Sequence, residues 1–220
     1  MVTTLLAGLS ILVIGDSHLI SAGNLIDSLH MGLEGKGARV HTVGACGTEP
    51  SDWLAPVKST CGAAERVGKG PVKILAAGAE IPSIQTLLAR EKPRLLLIVM
   101  GDTLASYPKP SFPKAWAWQQ VSALTKAVSA TGTACLWIGP AWGQDGGKYG
   151  KTDARVKLVS AFLAGNVAPC GYIDSLKLSR PGAWTTVDGV HFNRAGYAAW
   201  GHALTQQLEQ SPVLKTLEKR

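Results

Sequence analysis

The chain has 220 residues, 46% of them hydrophobic, and carries 22 Lys and Arg against 15 Asp and Glu for a formal charge of +7. That length and apolar content suffice to bury one substantial core, so a single domain over 1–220 is expected, without disordered tracts or internal repeats. No apolar stretch approaches the roughly 20 residues that span a bilayer, so no membrane span is expected. The basic residues are scattered, with small clusters at 148–157 and 215–220 and no aromatic-interleaved basic stripe, so no nucleic-acid partner is expected.

The first 14 residues are apolar but lack a basic leader and a small-residue cleavage site, and read as a first strand rather than a signal peptide. An exported protein would have lost its signal ahead of this sequence. The strand core, 12–14, ends at Gly15. A helix is expected over 24–33, with Leu25, Leu29 and Leu33 at helical spacing. A short strand at 39–43 is closed by Gly44-Ala45-Cys46-Gly47, and 50–78, rich in Gly, Pro, Ser and Lys, reads as an irregular excursion. A helix at 82–90 precedes the most apolar run, 94–100, which ends at Gly101. A helix at 113–130, a strand at 134–138, a helix at 153–164 and a strand at 171–173 follow. A last helix begins near Arg194, with Tyr197, Trp200, Leu204 and Leu208 along one face. Strands that are apolar throughout, alternating with helices, predict a parallel sheet covered on both faces. Its active site should lie past the carboxyl ends of the strands, where Ser17, Gly47, Gly101 and Asp102 fall.

Of the four cysteines, Cys46 and Cys61 flank one loop region, and Cys135 and Cys170 each begin a strand-like run. Sequential pairing, 46 with 61 and 135 with 170, is the expected arrangement. Four buried thiols in a cytosolic protein are the alternative. Neither C-x-x-C nor zinc-finger spacing occurs, so no metal is expected. Phosphate-loop, dinucleotide and Gly-x-Ser-x-Gly patterns are also missing, and no cofactor is expected.

Gly15-Asp16-Ser17-His18 follows the first strand, and Asp188-Gly189-Val190-His191 precedes the last helix. A serine hydroxyl needs a base, and the base needs an orienting group; His191 and Asp188 can fill those roles for Ser17. The order of these blocks resembles the SGNH (GDSL) hydrolases, serine esterases and lipases on a flavodoxin-like α/β/α fold. The resemblance covers nearly the whole chain. It implies a three-layer fold with a central parallel sheet, a Ser17–His191–Asp188 triad, and an oxyanion hole from the N–H groups of Ser17 and Gly47. The third block, Met100-Gly101-Asp102-Thr103, departs from the family's Gly-x-Asn-Asp by placing Thr103 where the Asn side chain donates to the oxyanion. A hydroxyl is a shorter donor than a carboxamide, and loss of one such donor costs about 10²–10³ in rate.

Asp16 is expected to fix its turn, and Asp102 to support the oxyanion loop or cap the next segment. His18 is read either as helix-entry packing or as a substrate contact. Trp53, Trp142 and Trp184 fall in predicted loops, where they could stack on sugar rings or simply pack. Trp116, Trp118, Trp137 and Trp200 are read as structural. The activity implied is removal of O-acyl groups, foremost O-acetyl, from an acylated polysaccharide or peptidoglycan by a periplasmic or secreted enzyme. Alternatives are transfer of the acyl group to a sugar hydroxyl by the same triad and a glycan-binding module weakened at Thr103. A cytosolic thioesterase or lysophospholipase becomes the alternative if the cysteines are reduced.

Overall fold

The computed structural model describes residues 5–218. The first strand, β1, is Ser10–Gly15; residues 1–4 of the long strand expected at the amino terminus lie outside the described residues, and 5–8 form turns. A 3₁₀ turn at Ser17–Leu19 leads to α1 (Leu25–Gly35) and β2 (Arg39–Ala45). The expected irregular excursion is instead built: a 3₁₀ turn at Pro50–Leu54, then β3 (Val57–Lys58), β4 (Ala63–Val67) and β5 (Lys73–Leu75), with β6 at Glu80–Ile81. Next come α2 (Ile84–Glu91), β7 (Leu95–Val99), α3 (Asp102–Ala105), α4 (Lys114–Ser129) and β8 (Ala134–Ile138). The chain ends with α5 (Asp153–Asn166), β9 (Gly171–Ile173), a 3₁₀ turn at Ser175–Lys177, α6 (Arg194–Glu209) and α7 (Pro212–Glu218).

The main sheet runs β5-β4-β2-β1-β7-β8-β9. Its β2-β1-β7-β8-β9 portion is parallel, the flavodoxin-like order expected from the block resemblance. β4 and β5 extend it in antiparallel sense. They escaped the sequence reading because they are short, carry charged residues and lie on an edge, where an apolar run is not required. β3 and β6 form a separate two-stranded sheet.

Side chains alternate between faces along each strand, and this sorts the core. Ile11, Val13, Leu95, Leu97 and Val99 join α1, α6 and α7 on one side. Leu12, Ile14, Leu96 and Ile98 join α2, α4 and α5 on the other. Caps set where the covering helices begin: Ser83 Oγ accepts from Thr86 N, Thr152 Oγ1 from Arg155 N, and Asn193 Oδ1 from Gly196 N.

Gly15 and Gly44 are partners in the β1–β2 register. A Cβ on Gly44 would stand 2.5 Å from Leu19 O, and one on Gly15 would stand 2.5 Å from Val99 O. Two bare backbones at the strand ends therefore let the turn carrying Ser17 settle across the rim of the sheet.

Candidate active site

Asp16 caps the turn after β1, its Oδ1 accepting from His18 N at 3.1 Å. That bond holds Ser17 half-buried at the rim with its hydroxyl turned to the loop before α6. In that loop Asp188 Oδ1 accepts from His191 N at 2.8 Å and from Val190 N at 3.0 Å. The folded-back loop puts Asp188 Oδ2 2.7 Å from His191 Nδ1, and His191 Nε2 2.7 Å from Ser17 Oγ. The three residues that the sequence pairs across more than 170 positions therefore meet in one hydrogen-bonded chain. Burial pushes the Asp188 carboxyl up, but the bonds from His191 and Val190 outweigh it and hold the group below its usual range. A carboxylate there keeps a proton on Nδ1 and leaves Nε2 free to accept from serine.

Gly47 lies on the exposed turn after β2. The turn is tied to the sheet by the Cys46–Cys61 disulfide and by a bond of 2.9 Å from Cys46 N to Gly62 O. The second disulfide joins Cys135 to Cys170, so the sequential pairing is the one present. Thr103 stands second in α3; its Oγ1 is buried and outside any hydrogen bond with a described residue.

Behind Ser17 lies a second chain of polar groups. His18 is only 2% exposed; its Nε2 is 2.5 Å from Asp102 Oδ2 and its Nδ1 is 2.9 Å from Tyr197 Oη. Both ring nitrogens are engaged inside the protein, so His18 is not a substrate contact: it is packing, with its ring 5.4 Å from that of His191 and 5.1 Å from that of Trp200. Asp102 Oδ1 is 2.6 Å from the Nζ of Lys151, a lysine 1% exposed. Burial raises the Asp102 carboxyl, yet the Lys151 ammonium and His18 pull it well below the ordinary range. For Asp16 burial dominates, and its carboxyl is raised despite His18.

Of the three loop tryptophans, one is buried and two are half-buried. Trp53 is fully buried, with Nε1 donating to Thr48 Oγ1 at 3.3 Å. Trp184 packs its ring 5.6 Å from that of Phe192, against the core. Trp142 is tied down by bonds from Nε1 to Leu176 O and Ser179 O, at 3.0 and 3.2 Å. The aromatic at the site is Tyr149, 42% exposed, its ring meeting that of His191 edge-on at 5.9 Å. Nothing in the sequence singled out Tyr149 or Lys151: both sit in a Gly- and Lys-rich stretch that reads as a solvated loop. Among the described residues no group of three or more His, Cys, Asp or Glu could hold a metal ion.

No protein-family model matches the chain. It is 41% identical over 204 residues to Protein BcsX of Komagataeibacter xylinus, covering 92% of this chain and 77% of that protein. A DUF4886 family protein from Bacteroides uniformis shares the fold at a TM-score of 0.66 and 14% identity, over 94% of this chain and 85% of that one. A catalytic mutant of an acetylxylan esterase from Geobacillus stearothermophilus does so at a TM-score of 0.56 and 14% identity, over 92% and 94% of the two chains. The chain therefore belongs to the family of Protein BcsX, and it shares its fold with solved structures that include a GDSL-like lipase from Bacteroides thetaiotaomicron and the acetylxylan esterase.

Proposed function

We propose that the protein is a serine esterase that removes O-acyl groups, foremost O-acetyl, from a polysaccharide or peptidoglycan. The observation that carries this reading is the Ser17–His191–Asp188 chain, with both of its hydrogen bonds at 2.7 Å. Ser17 Oγ attacks the ester carbonyl and passes its proton to His191 Nε2, and Asp188 stabilises the imidazolium. The negative carbonyl oxygen is received by the N–H groups of Ser17 and Gly47 and, on this reading, by the Thr103 hydroxyl. His191 returns the proton to the leaving alcohol, which departs as the acyl-enzyme forms. Water, deprotonated by the same imidazole, then releases the acid and restores Ser17.

Two observations favour an O-acetylated glycan. A protein of the same fold, from Geobacillus stearothermophilus, is an acetylxylan esterase. Tyr149 also offers an exposed ring beside His191, with the Lys148 ammonium 5.3 Å from its centre, and aromatic faces stack on sugar rings. Two disulfides favour an oxidising compartment, periplasmic or extracellular.

Exposure to p-nitrophenyl acetate, followed by intact mass, tests the nucleophile. The wild-type chain gains one acetyl group or turns the ester over, and Ser17→Ala does neither. A folded wild-type protein that does neither overturns the reading. On an acetylated oligosaccharide, Tyr149→Ala is expected to raise KM about tenfold with kcat kept. Adding an unacetylated oligosaccharide to the same reaction separates hydrolysis from transfer: acetate alone means water is the acceptor, and an acetylated sugar means transfer.

A further inference from the structure

Lys151 is the buried charge that the mechanism above leaves unused. It precedes the α5 cap, Thr152, at the end of the glycine-rich stretch that follows β8. Its stem passes closely over Gly143: a Cβ there would stand 2.7 Å from Lys151 Cδ and 2.4 Å from Gly189 O, inside the loop of Asp188 and His191. Only a residue without a side chain leaves room for the stem beneath that loop. Gln144 N and Lys148 N fasten the stretch to the same loop, donating to Gly189 O at 2.9 Å and to Asp188 O at 3.2 Å. The ammonium ends 2.6 Å from Asp102, whose other oxygen holds the histidine adjoining Ser17.

We propose that Lys151 is a positioning residue for acyl transfer: it cancels the negative charge of Asp102 beside the developing oxyanion, so that Asp102 can hold His18 and the nucleophile turn without opposing the reaction. This inference rests on the esterase reading.

Asp102 opens α3 and Thr103 follows it, so its charge lies in the block expected to face the oxyanion. Asp16, also fully buried, adjoins Ser17 in the chain and accepts from His18 N. Two buried carboxylates around a site that must accept a further negative charge would oppose the reaction, and removing one partner of a buried ion pair leaves an uncompensated charge. The Lys151 ammonium and the Asp102 carboxylate face each other at 2.6 Å and offset each other's charge, while His18 joins the carboxylate to the turn.

The test is a double-mutant cycle read with p-nitrophenyl acetate on folded protein, with melting temperature recorded alongside. Lys151→Met keeps the length of the stem and removes the charge; kcat is expected to fall about 10- to 100-fold with KM within about twofold. Asp102→Asn leaves the ammonium unmatched and is also expected to lower kcat. The double variant, Lys151→Met with Asp102→Asn, is neutral again and is expected to regain most of the lost rate. A purely structural role would not give that recovery in kcat at constant KM. If Lys151→Met does not fold, the comparison of Asp102→Asn with the double variant carries the same expectation. Wild-type acetylation with Lys151→Met unaffected, or a double variant no better than its parents, overturns the role of Lys151 alone. Absence of acetylation in the wild-type protein overturns the esterase reading and this inference with it.

Discussion

At the scale of single residues, the two buried carboxylates bonded to His18 are pulled in opposite directions. Asp102 is held low by Lys151 and His18 against its burial, so it adds stability above the ordinary carboxylate range and loses it only as pH falls through its depressed folded value. Asp16 is raised by burial, with one oxygen outside any hydrogen bond with a described residue. The sign therefore reverses: folding carries no penalty from Asp16 below about pH 4, and a growing one as pH climbs toward its raised folded value. Asp16→Asn keeps an oxygen for the His18 N–H and removes the charge. Its melting temperature relative to wild type should rise as pH climbs above about 4. A difference that stays flat as pH climbs would mean that the folded carboxyl ionises as readily as the unfolded one, so that burial does not raise it. Of these residues Ser17, Asp188 and His191 were legible in the sequence, because their chemistry needs fixed residue types at fixed places. Lys151 was not: a lysine among glycines and lysines reads as solvated, and only the tertiary fold brings a carboxylate to it. Loop position likewise could not separate packing from exposure for Trp53, Trp142 and Trp184, since it says nothing about what packs over an indole.

At the scale of elements, each disulfide braces a different end of the sheet. Cys46–Cys61 closes a separation of 15 residues around the turn that carries Gly47, past the carboxyl end of β2. Cys135–Cys170 closes 35 residues, between the start of β8 and the residue before β9, at the amino ends of those strands. The loop-entropy relation gives about 3 kcal/mol for the first and about 4 kcal/mol for the second. On the esterase reading, replacing Cys46 and Cys61 with serine should lower both the melting temperature and the acylation rate, because it frees the Gly47 turn proposed to give an N–H to the oxyanion. Replacing Cys135 and Cys170 should lower the melting temperature at least as far and leave the rate per folded molecule unchanged. Equal effects on rate from the two pairs would detach the Gly47 turn from the chemistry. The helices and the parallel strands were readable because continuous apolar runs and 3.6-residue spacing report burial directly. β4 and β5 were not, since an edge hairpin with Glu65, Arg66 and Lys73 on it satisfies its backbone without an apolar run.

At the scale of the molecule, one sheet carries two cores, and the site draws on the ends of strands shared by both. Leu97 faces the α1–α6 side and Leu96 the α2–α4–α5 side, and both are fully buried one residue apart on β7. Neither core is complete without the sheet, because β1 and β7 supply alternate side chains to each. That sharing predicts a single domain that unfolds in one transition rather than layer by layer. Leu96→Ala and Leu97→Ala should each cost about 2–5 kcal/mol, with far- and near-ultraviolet circular dichroism melting together in both. A second transition in one variant and not the other would show that the layers are separable. In that case the loop carrying His191, which leads into α6 on the first side, would be expected to lose its register with Ser17 before the second core melts.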